Sequence, residues 1–159
     1  MEREDAVDAL FSAVLCTAVS AYSQGFRQLL SASVDRDYGL DMAEVARVWM
    51  AGCIIRARLL VPMAKAFQRQ PDLPMLLLAE PFRSLWEKHQ IKFRMLVARA
   101  HEAGIPVPAM SSALDFVDAY RTSRLPANLL QAQRDFFGAH TYQRIDRDGT
   151  FHTEWEQVR

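Results

Sequence analysis

Arg56 is the most informative residue in this sequence. It sits in GCIIRARLL, within the most apolar stretch of the chain. An unpaired buried charge is expensive, so Arg56 there calls for an anionic partner or a polar cleft. An internal Asp or Glu is one answer. A phosphate or carboxylate ligand is the other, because the guanidinium fork binds such groups bidentately. A second candidate lies in QAQRDFFGAH, where Arg134 precedes Gly138 and His140 follows it. An Arg and a His on either side of a helix end can converge on one anion. Arg134 could equally favour the negative end of its own helix.

The remaining titratable residues offer less. His89 and His101 lie among Glu87, Lys88 and Glu102 and read as surface residues. His152 has no metal-ligand spacing around it. Asp115 and Asp118 form an i,i+3 carboxylate pair, read as a solvated face rather than an acid–base couple. Cys16 and Cys53 are the only cysteines. They suit neither a zinc site nor a disulfide framework, and read as buried, reduced thiols in a cytoplasmic protein. The six glycines are too scattered for a dinucleotide fingerprint or a phosphate loop, so no catalytic, cofactor-binding or metal residue is assigned.

The elements that must position these side chains read as helices nearly throughout. Apolar residues at Leu10, Val14, Ala18, Ala21 and Leu29 mark one face of a helix over residues 5–31, with Gly25 kept for close approach of another helix. Asp41 and Glu44 form a capping box opening a central, largely buried helix that Pro62 should bend or break locally. Further helices are expected over 81–103, ending at Gly104, from Ser111 or Ser112 to Arg121, and from Pro126 to Gly138. Residues 139–159 change character. They are polar and aromatic, and their Asp148-Gly149 turn allows a hairpin or an extended arm. The fold class is therefore all-α, with a helical domain over 1–138 and a tail over 139–159.

Composition narrows the function. Lys plus Arg number 19 and Asp plus Glu number 19, a net charge of zero that opposes broad nucleic-acid binding. The acidic, amphipathic N-terminus does not read as a signal peptide, and Arg47, Arg56 and Arg58 interrupt the apolar run near 45–64, so neither a leader nor a membrane partner is expected.

The blocks YSQGF (22–26), GCIIR (52–56), GIPVPAMSSAL (104–114), LPANLLQAQRDFFGAHTY (125–142) and FHTEW (151–155) resemble the C-terminal part of 6-phosphogluconate dehydrogenase, in order along almost the whole chain. The resemblance implies the second half of that family's helical domain. It also implies an NADP-dependent, decarboxylating oxidation of 6-phosphogluconate to ribulose 5-phosphate, in the pentose phosphate pathway, by homodimers whose tails reach into the partner. On the same resemblance, Arg56 is the arginine that binds the substrate phosphate. Arg134 and His140 are the pair that a second subunit adds to that pocket.

Two positions depart from the family. Ala18 stands where a phosphate-contacting lysine is usual, and Met50 follows Trp49 where an arginine is usual. Nothing in 1–159 matches the Rossmann domain, the lysine base or the glutamate acid. This leaves two expectations: a fragment or split half of the dehydrogenase, completed by a separately encoded Rossmann chain, or a stand-alone helical dimerisation module.

Overall fold

The computed structural model describes residues 3–155. They divide into two compact units, the boundary falling between Asp118 and Ala119. Six α-helices and one two-stranded ladder are found among the described residues, in agreement with the all-α expectation.

In the first unit α1 (Arg3–Arg36) packs against α4 (Phe82–Glu102). Asp8 meets Lys92 and Ser12 meets His89, so the two helices run in opposite directions. The buried stripe of α1 is not the one that periodicity suggests. Small residues (Ala9, Ser12, Ala13, Cys16, Ser20, Ser23) face inward, whereas Val7, Leu10, Phe11 and Val14 are 48–61% exposed. Small side chains let the large ones of α4 seat directly on the helix. Trp86 and Phe93 do so beside Ala13 and Cys16, their rings edge-on at 6.2 Å. Hydrophobicity alone cannot choose between two apolar faces of one helix. By length and composition α1 is also apolar enough to cross a membrane, yet Ala13, Cys16 and Val19 sit in the packed core.

The single long helix expected after Asp41 is two helices, α2 (Met42–Trp49) and α3 (Leu60–Arg69). Asp41 does cap α2, its Oδ1 accepting from the N–H groups of Ala43 (2.7 Å) and Glu44 (3.2 Å). The reciprocal half of the box is not made, because Glu44 pairs with Arg47 instead. The break falls at residues 50–59, where Gly52 takes a left-handed φ of 69°. Pro62 neither bends nor breaks this stretch. It lies in the first turn of α3, where its missing N–H would have had no helical partner. α3 packs on α2, and the Phe67 ring lies tilted against Phe26 with centroids 4.9 Å apart.

Gln70 ends α3, and a 3₁₀ turn at Leu76–Leu78 leads to α4. As expected, α4 stops before Gly104, whose φ is 70°. α5 (Pro108–Tyr120) begins earlier than Ser111, with Pro108 at its first position. Asp118 is not merely solvated: Arg94 donates two hydrogen bonds to its carboxylate, at 2.6 and 2.5 Å. His89 is half-buried against Phe11 and Ser12 rather than exposed, and Cys53 is half-buried while Cys16 is fully so. Burial pushes the Cys16 thiol up to about 11.

Glycine supplies a test of this reading. Gly52→Ala is expected to destabilise by about 1 kcal/mol, because a Cβ is strained at that φ. Gly25 is helical and a Cβ there meets nothing within 4 Å, so no helix approaches it closely among the described residues. Gly25→Ala should stabilise by about 0.5–1 kcal/mol. Melting curves that moved in the same direction for both would contradict the assignment.

The second unit holds α6 (Asn128–Gly138), β1 (Tyr142–Gln143) and β2 (Thr150–Phe151). α6 opens at Asn128, two residues beyond Pro126. Gly138 is still helical, and the left-handed step falls on Ala139 (φ 48°) and again on Thr141 (φ 68°). The tail forms the hairpin, with Tyr142 opposite Phe151 and Gln143 opposite Thr150.

Candidate anion-binding site

Arg56 is exposed, on the loop between α2 and α3. The burial argument for it fails because no helix continues through it. Its guanidinium has no carboxylate partner among the described residues, and it borders a cleft of about 430 Å³. α1 lays Ala18, Ala21 and Gly25 along that cleft, while Tyr22, Trp49, Ile54 and Ile55 complete the wall. Tyr22 fixes the loop by donating its hydroxyl proton to the Ile55 carbonyl. Burial, then the nearby Cys53, pushes the Tyr22 hydroxyl above its usual range, so it stays a donor. Trp49 packs on Phe26 at 4.9 Å and so ties the loop to the core. Ala18 therefore lies in the same cleft as Arg56, and the open volume over Gly25 is part of it.

In the second unit α6 carries Arg134, and the turn after it carries His140. The structure brings these two together: the Arg134 guanidinium donates to His140 Nε2. They share a pocket of about 280 Å³ with Gln131, Thr141, Tyr142 and Gln143. No carboxylate is among those lining residues. A guanidinium, an imidazole and two amides can turn several N–H donors toward one anion, with no carboxylate on the pocket wall itself.

Asp135 was not singled out by sequence, yet it organises this unit. It is fully buried, and its carboxylate accepts four hydrogen bonds. Oδ1 takes the Thr141 N–H at 3.0 Å and His152 Nδ1 at 2.9 Å. Oδ2 takes the Thr153 N–H at 3.0 Å and the Trp155 indole at 3.0 Å. Desolvation pushes this carboxyl up, but the bonds from His152, Thr153, Trp155 and Thr141 together outweigh it and hold it at about 2. The available signal was the acid's place beside two aromatic residues in α6, ahead of a tail rich in donors.

The same pair sets a pH window. The Asp135 hydrogen bond, opposed by desolvation and reinforced by the charges of Asp135 and Glu154, raises His152 above 6.5. A raised histidine contributes fully below its ordinary value and loses its contribution as pH rises through the raised one. A lowered carboxylate contributes above its ordinary 3.8 and loses its contribution as pH falls through about 2. The hairpin should therefore be anchored most firmly between about pH 4 and pH 6.5. Ring titration of His152 by NMR is expected to give a midpoint above 6.5, and a midpoint at or below it contradicts the pairing.

Known proteins resemble this arrangement over its whole length. The family model described as 6-phosphogluconate dehydrogenase, C-terminal domain, matches residues 1–155. The chain is 47% identical over 158 residues to the chloroplastic decarboxylating 6-phosphogluconate dehydrogenase 2 of Oryza sativa subsp. japonica, covering 99% of the chain and 31% of that relative. It is 44% identical over 153 residues to the NADP(+)-dependent, decarboxylating 6-phosphogluconate dehydrogenase of Bacillus subtilis, covering 96% and 33%. A solved Plasmodium falciparum 6-phosphogluconate dehydrogenase, described in its apo form and in complex with NADP+ and with 6-phosphogluconate, superposes with a TM-score of 0.86. It is 37% identical and covers 98% of this chain and 33% of that one. The chain thus spans about a third of the length of the relatives it matches. Matched by the family model over residues 1–155 and by relatives and a solved structure over nearly all of its length, the chain belongs to the 6-phosphogluconate dehydrogenase C-terminal domain family.

Proposed function

We propose that residues 1–159 are the phosphate-gripping and dimer-forming part of a decarboxylating 6-phosphogluconate dehydrogenase. Arg56, Arg134 and His140 bind the substrate phosphate, the last two acting on the site of a second copy. The observation that carries this reading is the meeting of Arg134 and His140 in a pocket lined by no carboxylate. Arg56 on a cleft beside the family's lysine position supports it. Hydride transfer to NADP needs a cofactor site facing the substrate, and that site, with the catalytic base and acid, belongs to a Rossmann-containing partner or segment. The tail over 139–159, which carries the β1–β2 hairpin, is the arm exchanged between copies.

A second reading is a helical dimerisation module without chemistry. Ala18 at the lysine position and the exposed stripe Val7, Leu10, Phe11 and Val14 favour it. Calorimetry separates the two. Under the first, 6-phosphogluconate binds saturably while gluconate, which lacks the phosphate, does not. Arg56→Ala weakens the binding, and the chain alone turns over no substrate with NADP. Absence of binding at millimolar ligand leaves the module, and turnover by the pure chain overturns the division of labour.

A further inference from the structure

We propose that Asp135 is a positioning residue: it fixes the turn that carries His140 beside Arg134 and fastens the hairpin arm to the same helix. This rests on reading Arg134 and His140 as an anion-binding pair. Asp135 is the immediate neighbour of Arg134, and it receives the N–H of the residue that follows His140. His140 is thus gripped from both sides. Ala139 before it donates its N–H to the Asp135 carbonyl at 2.8 Å, and Thr141 after it bonds the Asp135 carboxylate. Both flanking residues are left-handed, a conformation that side-chain-bearing residues adopt only where their surroundings hold them. The other three donors to the carboxylate all come from the arm, at His152, Thr153 and Trp155. Phe136, next along α6, adds an edge-to-face contact to the Trp155 ring at 5.8 Å. One buried carboxylate therefore couples the position of the arm to the geometry of the His140 turn.

Asparagine cannot substitute. It has one acceptor oxygen for four donors, and its amide N–H₂ would face two of them. The experiment uses the full chain with labelled histidines, of which there are four: His89, His101, His140 and His152. Asp135→Asn is expected to keep its helical content and leave His89 and His101, in the other unit, where they were. The cross-peak between the Arg134 guanidinium and the His140 ring is lost, and the response of His140 to inorganic phosphate weakens about tenfold. A cross-peak and phosphate response identical to the parent's overturn the proposal, as does a general shift of His89 and His101. If phosphate leaves His140 unmoved in the parent chain, the anion-site reading fails on its own. The cross-peak then decides: its loss in the variant supports positioning and its retention overturns it. Should Asp135→Asn lose helical content, Trp155→Phe removes one donor while keeping a ring. It is judged by the same cross-peak, with a smaller loss expected.

Discussion

Arg134→Ala is expected to weaken binding of 6-phosphogluconate by about tenfold to a hundredfold, which corresponds to one charge-assisted hydrogen-bonding group worth roughly 1.5–3 kcal/mol. The guanidinium is the only charged donor lining its pocket among the described residues. Its removal takes the bond to His140 as well, so the imidazole loses the neighbour that orients it. Gln131 and Gln143 remain, but neutral amides are weaker partners for a phosphate. The variant should melt near the parent temperature, because Arg134 is exposed and anchors nothing in the Asp135 cluster. Calorimetric titration checks this. An affinity within twofold of the parent value would place the phosphate elsewhere.

Ala18→Lys is the corresponding gain. Ala18 faces the cleft that Arg56 borders, one turn of α1 before Tyr22. A lysine there adds a second cation to a cleft of about 430 Å³ whose walls are largely apolar, where a charge is screened less than on open surface. Binding of 6-phosphogluconate is expected to tighten about tenfold, and the gain should shrink in the presence of Arg56→Ala, because both groups hold one phosphate. A gain that is fully independent of Arg56 would mean that the two positions serve different ligands. The double-mutant cycle reads this directly.

Much of the fold was legible because helix ends are written locally. Asp41 caps one helix and Gly104 terminates another, each by a rule that needs no tertiary context. The failures share a cause. Periodicity marks one apolar face on α1 through Leu10 and Val14, whereas the packing of Trp86 and Phe93 selects the small-residue face instead. The apolar run from Val45 to Ala64 looked like one buried helix. The Gly52 turn instead breaks it into two helices and lifts Arg56 out on the intervening loop. Arg56 thus kept its candidacy for a reason opposite to the first one: it is exposed on a cleft, not buried in need of a partner. For Arg134 the sequence leaves open convergence with His140 or service to its own helix end, and in the structure its guanidinium meets the His140 ring. Asp135 escaped notice because its four donors lie 6 to 20 residues further along the chain, beyond the reach of any local pattern.

The central proposal is that this chain grips the phosphate of 6-phosphogluconate. The phosphorus resonance of 6-phosphogluconate, followed by 31P NMR as the chain is added, tests it most directly. The account predicts a shift that saturates with the parent chain and largely disappears with Arg134→Ala. A resonance that stays put at every concentration of the parent chain, up to millimolar ligand, would contradict it.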